Sequence, residues 1–378
     1  MKPIYLDYNG TTPHDPEVIA AMRPYLEEEF GNPSSGHSYA AKPRQALETA
    51  RRQVAGLLNC DAEEVVFTSG GTEANNWAIL GTAHALRGRG RHIVTSRIEH
   101  PAVLNVCAFL EKEGYAVTCL PVDAQGMVNI ADVESALRPD TVLISIMHAN
   151  NEVGTIQPIS EIASVARTRG IRLHTDAAQS AGKIPVDVAA MGVDLLSLAG
   201  HKLYAPKGVG ALCIRKGTRL ETFMHGAAQE TGRRAGTENI LEIVGLGKAC
   251  EIAARKLEPN CRHLQALRDR LQAGITAAVA DVRINGHPER RLPNTLSLSF
   301  RDIEANRLLE AIGPAVAASA GAACHAGSVA ISHVLKAMAV PVEWAMGTLR
   351  LTTGRMTTAE EVERAAQIIG EAVGRLKK

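Results

Sequence analysis

Short β-branched runs separated by helical patterns recur through the first two thirds of this chain, and that alternation restricts the fold more than any other feature. The runs are Glu64-Val-Val-Phe-Thr, His92-Ile-Val-Thr-Ser, Ala116-Val-Thr-Cys-Leu, Thr141-Val-Leu-Ile-Ser-Ile, Ile171-Arg-Leu-His, Asp194-Leu-Leu-Ser-Leu and Gly210-Ala-Leu-Cys-Ile. Runs spaced by about 20 to 30 residues with helices between them imply βαβ units and a mostly parallel sheet. Between Leu198 and Gly210 there is no room for a crossover helix, so the last strand is expected to run antiparallel to its neighbour. The fold expected is α/β, a seven-stranded mostly parallel sheet with a smaller α/β domain after it. A long helical stretch from about Ile240 through Arg270, with few turn signals apart from Pro259, is expected to leave the large domain. Beyond it, Asn294-Thr-Leu-Ser-Leu-Ser-Phe alternates like a strand, and Thr358-Ala-Glu-Glu opens a capped amphipathic helix. The expected division is a large domain at 15–258 and a small domain made of 1–14 with 259–378.

At 378 residues the chain exceeds one ordinary core, and 46% apolar content suffices to fill two. The 41 basic residues balance 40 acidic ones with no long run of either sign, so the charge pattern points to neither nucleic acid nor a membrane surface. Residues 1–25 carry Asp7, Asp15 and early prolines, unlike the apolar core of a signal peptide, and no segment reaches 18 uninterrupted apolar residues. A cytoplasmic protein is expected. Seven cysteines, odd in number and without CxxC spacing, argue against a disulfide framework or a zinc site.

Polar clusters fall at the carboxyl ends of five successive predicted strands, where open α/β sheets bind ligands. Lys202, in Gly200-His-Lys, and Asp176, in His174-Thr-Asp-Ala-Ala-Gln179, form the most telling pair. A lysine can hold an aldehyde as a Schiff base, and a carboxylate can keep a pyridine nitrogen protonated, so together they suit pyridoxal phosphate. Taken singly, each also reads as a structural lysine or a turn aspartate. Thr68-Ser-Gly-Gly-Thr-Glu-Ala-Asn follows a strand and opens a helix, which aims backbone N–H groups near Gly71 and Thr72 at an anion, although such a turn is also a common connector. His100 reads either as an imidazole over a planar cofactor or as a cap, and Asn151 either as a donor to a ring oxygen or as a strand terminator.

With Asp7-Tyr-Asn-Gly-Thr-Thr-Pro, Gly31-Asn-Pro-Ser-Ser, Glu99-His100, Ala149-Asn-Asn-Glu, Arg234-Ala-Gly-Thr-Glu-Asn and Ala320-Gly-Ala-Ala-Cys-His added, nearly the whole chain resembles the cysteine desulfurase and selenocysteine lyase family. The resemblance implies a fold-type I pyridoxal 5′-phosphate enzyme, homodimeric, with sites at the subunit interface. It implies Lys202 as the Schiff-base lysine, Asp176 at the pyridine nitrogen, Gln179 at the ring hydroxyl and His100 over the ring. Gly71, Thr72, Gly200, His201 and, from the partner subunit, Thr237 would surround the phosphate. Asn9, Asn151 and Arg350 would meet the substrate, Arg350 through its bidentate fork. Cys324 matches the cysteine that carries a persulfide. It lies among small residues that suit a mobile loop, where a reachable thiolate can attack sulfur.

The implied reaction converts L-cysteine to L-alanine and passes sulfur to an acceptor or scaffold protein, as in iron–sulfur cluster assembly. Position 199 is Ala where many cysteine desulfurases carry Ser, and Gly-Ala-Ala-Cys-His looks more like the lyase loop, so selenocysteine lyase activity stands as an alternative. The long stretch from Cys324 to Arg350 resembles the desulfurase branch. An aminotransferase of the same fold, and a cofactor-free scaffold that only presents sulfur, are the remaining rivals.

Overall fold

The computed structural model describes residues 2–325 and 328–377; the side chains of 322–330 lie outside the described set. Strand β1 (Ile4–Tyr5) is followed by β2 (Val65–Thr68), β3 (His92–Ser96), β4 (Ala116–Leu120), β5 (Thr141–Ser145), β6 (Arg172–Asp176), β7 (Leu195–Ala199) and β8 (Gly210–Ile214). The last seven form one sheet in the order β2-β8-β7-β6-β5-β3-β4. All pairs are parallel except those of β8, which runs antiparallel to both β7 and β2. The short β7–β8 connection therefore acts as expected, reversing the chain rather than crossing over. Because β8 lies between them, β2 and β7 point the same way, and the carboxyl ends of β2, β3, β5, β6 and β7 share one edge.

These five strands are not consecutive in sequence: β4 falls between β3 and β5 in the chain but sits at the outer margin of the sheet, paired only with β3. Its residues are only partly buried along most of their length, whereas every residue of β2, β3, β5, β7 and β8 is buried. Helix Gly71–Ala85 packs Ala74, Trp77 and Ala78 against Val66, Leu195 and Leu212, a three–four spacing that lays one helical stripe on the sheet. Its amino end is thereby held at the carboxyl edge.

The second half builds β9 (Val282–Asn285), β10 (Thr295–Phe300), β11 (Val316–Ala317), β12 (Ser319–Ala320), β13 (Ala322–His325), β14 (Ser328–Ile331) and β15 (Thr348–Thr352). An antiparallel sheet has the order β12-β15-β10-β9, and β1 pairs in parallel with β11. Alternate residues Leu296, Leu298 and Phe300 join a core with helices Leu257–Ala278 and Ala359–Leu376. Thr358 and Glu361 close a reciprocal capping box at the start of the last helix.

The helical stretch read as continuous from Ile240 is two helices, Ile240–Arg255 and Leu257–Ala278. Pro259 sits in the first turn of the second, where its missing N–H would have had no intrahelical partner. The first helix contributes Ile243, Leu246 and Ile252 to the large core and the second contributes Leu267, Leu271 and Ile275 to the small one. The chain passes between the cores at that break. Strands β13 (Ala322–His325) and β14 (Ser328–Ile331) pair antiparallel, and Cys324 stands opposite Val329 in their register. Among the described residues no helix is long and apolar enough to cross a membrane.

Candidate active site

The five strand ends surround a cavity of about 280 Å³ lined by Asn9, Gly71, Thr72, Asn75, His100, Asn151, Asp176, Gln179, Ala199, His201, Lys202 and Arg350, among others. Lys202 ends the turn Gly200–Lys202 directly after β7. Its Nζ donates to the backbone carbonyls of Asn9 (2.6 Å) and Gly10 (2.7 Å). Burial, with the nearby Arg350 guanidinium, pulls this amine down to about 8. A neutral amine has two N–H bonds; with both directed at carbonyls, its lone pair is left for an electrophile.

Asp176 closes β6. Asn75 donates to its Oδ2 at 2.7 Å and the Ala178 N–H to its Oδ1 at 2.9 Å. The Asn75 Oδ1 is buried without a hydrogen-bond partner among the described residues. Asn75 projects from helix Gly71–Ala85 one turn after Gly71, which sets carboxylate and helix start a fixed distance apart. Gly70 before that helix adopts φ +146°, a conformation closed to residues with a Cβ, and turns the first helical N–H groups outward. At Gly71 an added Cβ would come within 3.1 Å of the Ala199 Cβ, so the two walls of the cavity are close there.

His100 combines both of the roles left open for it. It lines the cavity and caps helix Pro101–Lys112, accepting from the Ala102 N–H at Nδ1 (3.1 Å). That donor leaves the ring proton on Nε2, and burial holds the ring pKa below its ordinary value. His201 is bonded to Thr11 Oγ1 at 3.2 Å and is pushed by burial and by Lys202 to about 4. His148 and His174 are structural: the first meets Ser180, and the second lies between Ser145 and Ser197, where burial lowers it to about 3.

Asn9 lines the cavity, yet its amide is fully engaged with the protein. Nδ2 donates to the Asn151 carbonyl and Thr295 Oγ1, while Oδ1 accepts from Asn294 and Lys183. The same Lys183 donates to Gln179 Oε1 at 2.9 Å, and Gln179 in turn donates to the Asn9 carbonyl. Lys183 is buried, and burial pulls it down to about 7. Arg350, on β15, donates to Asp7 (2.8 Å), Ser319 Oγ and the Asn151 carbonyl; its buried Nε has no hydrogen-bond partner among the described residues.

Two residues expected around the phosphate lie outside the lining of this cavity. The Gly200 N–H is already given to the Val209 carbonyl at 3.0 Å, and Gly200 is no part of the lining; its absent Cβ serves close packing on Val209 instead. Thr237, expected at the partner subunit's site, is exposed and does not line the cavity of its own chain. The Cys324 side chain lies outside the described residues. Asn75 and Lys183 were missed by sequence reasoning. For Asn75 a signal existed, since it ends the Thr68–Asn75 motif at helical spacing from Gly71; for Lys183, in an irregular segment, there was none.

The chain matches the class-V aminotransferase family over residues 4–365. A cysteine desulfurase, IscS, of Methanosarcina thermophila is 49% identical over 377 residues, covering 100% of this chain and 93% of that one. A solved structure titled NifS-like protein superposes with a TM-score of 0.93 at 36% identity, covering 99% of this chain and all of its own. Another, titled SspA in complex with cysteine, gives a TM-score of 0.83 at 37% identity over 94% of this chain and 99% of that one.

Proposed function

The chain belongs to the class-V aminotransferase family, and from that premise we propose that it is a cysteine desulfurase, taking L-cysteine to L-alanine and holding the sulfur on Cys324 as a persulfide. The observation that carries the reading is the convergence, in one cavity, of the Lys202 amine, the doubly bonded Asp176 carboxylate and the open helix start at Gly71 and Thr72. These residues fit pyridoxal 5′-phosphate. Unpaired helical N–H groups suit its phosphate, and Asp176 keeps acceptor capacity for a protonated ring nitrogen. When bound, the cofactor supplies an aldehyde for an amine and an electron-poor ring that makes the Cα proton of an amino acid removable.

This chain's residues do the rest. Gly71, Thr72 and His201 would hold the phosphate, Asp176 would meet the ring nitrogen, Gln179 the ring hydroxyl and His100 the ring face. Arg350 receives the substrate carboxylate, for which the Asp7 carboxylate stands in until substrate arrives. Lys202 would anchor the cofactor aldehyde and, as a neutral amine, take the Cα proton. The Cys324 thiolate attacks the substrate Sγ: an S–S bond forms, the S–Cβ bond breaks, and that electron pair ends in a new C–H bond of alanine. The proton comes from His100 Nε2 or Lys202. The hairpin bearing Cys324 leaves β12, which pairs with β15 at Arg350, so its stem starts beside the carboxylate site.

L-selenocysteine is the second substrate supported, because Ala199 lines the cavity where a serine hydroxyl would otherwise reach the phosphate. The exposed Leu26, Phe30 and Tyr39 and the exposed Thr237 support a homodimer in which Thr237 serves the partner's site. A protein acceptor for the sulfur and a cytoplasmic setting complete the reading. Alanine release from L-cysteine, L-selenocysteine and an amino-acid/keto-acid pair, measured side by side, tests it. Alanine with stoichiometric sulfide under a reductant is expected. Cys324→Ala should keep the visible cofactor absorbance and lose alanine release from cysteine; full activity in that variant, or transamination without sulfide, overturns the assignment.

A further inference from the structure

Away from the cavity, the fold gathers Cys60, Glu64 and Cys213, whose ligand atoms all lie within 4.8 Å of one another. They come from three separate pieces of structure. Cys60 follows Asn59, the left-handed C-cap (φ 51°) of helix Ala41–Leu58; Glu64 closes a capped turn; Cys213 sits in β8 opposite Val65 of β2. Gly210, at the other end of β8, pairs with Thr68 and Ala199 beside the cofactor cavity. Three strand residues of about 3.3 Å each put the cluster about 10 Å away along the strand, at the opposite edge of the sheet.

Glu64 is buried and held in place. Its Oε1 accepts from the Lys216 N–H at 2.8 Å and its Oε2 from the Asp61 N–H at 3.1 Å, which leaves each oxygen a lone pair and fixes the carboxylate plane. The Asp61 bond is half of a reciprocal capping box, and with the Lys216 N–H it orients the carboxylate as outer donors orient a ligating carboxylate at a metal site. Cys60 is partly exposed, which gives a path from solvent, and Cys213 is buried. We propose that Cys60, Cys213 and Glu64 form a binding site for a thiophilic divalent cation of the zinc type, with one coordination position left to water on the Cys60 side. Tetrahedral coordination with metal–sulfur bonds of about 2.3 Å and metal–oxygen bonds of about 2.1 Å needs S···S near ~3.8 Å and S···O near ~3.6 Å, both under the observed ceiling. Entry of the cation sends two thiol protons to solvent, and Arg215 and Arg233, whose charges act on Cys213, face the resulting anionic donor set. The absence of CxxC spacing hid this site in the sequence, because its two sulfurs are brought together only by the packing of the first helices on the sheet margin.

Cadmium chloride titrated into the reduced, cofactor-loaded protein tests the site through the thiolate-to-cadmium charge-transfer band. One equivalent should bind in a phase that disappears in Cys60→Ser and in Cys213→Ser, and Glu64→Gln should weaken it at least tenfold. Cofactor absorbance is read in parallel as the check on folding. Should Cys213→Ser fail to fold, Cys60→Ser, at the partly exposed position, decides alone. Any cadmium bound at Cys324 persists in these variants and is counted separately. Equal cadmium uptake by wild type and Cys60→Ser, or a Cys60–Cys213 disulfide whose reduction restores no uptake, overturns the proposal.

Discussion

Asn75 donates its side-chain amide to Asp176 at 2.7 Å while its own carbonyl oxygen stays buried and unpartnered among the described residues. The pair joins the helix whose start is the proposed phosphate cradle to the strand that ends at Asp176. On the proposed reading, cofactor geometry depends on a residue outside the motif pair that drew attention in the sequence.

Asn75→Ala is expected to weaken cofactor retention by about 1–3 kcal/mol, because a buried charged acceptor loses a donor. Asn75→Asp is expected to be worse for turnover near neutral pH, since two adjoining carboxylates share a proton and Asp176 no longer serves the ring nitrogen as an anion. Cofactor dissociation followed by absorbance, with kcat measured alongside, separates the two effects.

The Lys202 amine, pulled down to about 8 by burial and by Arg350, sets a pH dependence for cofactor capture by the cofactor-free protein. Only the neutral amine attacks an aldehyde, so the capture rate should rise about tenfold per pH unit below 8 and level off above it. Arg350→Gln removes a positive neighbour and should move that midpoint upward. The sign for stability follows from the same shift. Between about 8 and its ordinary 10.5, Lys202 binds fewer protons folded than unfolded, so the cofactor-free fold gains stability as pH climbs through that window. Lys202→Ala should abolish both capture and turnover, and stopped-flow absorbance across pH 6–10 is the measurement.

Arg350 divides its fork among Asp7, Ser319 and the Asn151 carbonyl. Lysine keeps the charge but presents no planar fork. Arg350→Lys is expected to raise KM for cysteine at least tenfold with a smaller fall in kcat, and steady-state kinetics with alanine detection reads the split. An equal fall in kcat and kcat/KM would instead assign Arg350 to the chemical step.

Ala199 faces the cavity beside Gly71. Ala199→Ser adds a hydroxyl next to the phosphate cradle and is expected to strengthen cofactor binding by about 0.5–1.5 kcal/mol. The rate of cofactor loss into an excess of a carbonyl trap should slow accordingly. The same variant, compared on cysteine and selenocysteine, reports whether this position sets the preference between them.

The large sheet was legible because β-branched runs and crossover lengths are local signals, and the short Leu198–Gly210 connection alone foretold the antiparallel β8. The strand ends carried the cavity, so Lys202, Asp176, Gln179 and His100 could be named from spacing and resemblance. What the sequence concealed depends on contacts across distant segments. Lys183 reaches Asn9 and Gln179 from an irregular stretch with no periodicity to betray it. The Gly200 N–H is taken by Val209, which only the reversal of β8 brings alongside. Asn9, read as a substrate contact, has its whole amide absorbed by Thr295, Asn294, Asn151 and Lys183.

That absorption has a mechanical consequence. Asn9 rivets the amino-terminal segment to β10 on one side and to the turn after β6 on the other, and prising the sheets apart at that floor would leave several polar groups dry, at about 1–3 kcal/mol each. The floor is a fixed seam. Asn9 and Arg350 both donate to the Asn151 carbonyl, and Arg350 pairs in register with Ser319 of β12, so the strand that leads into the β13–β14 hairpin is anchored to the same seam.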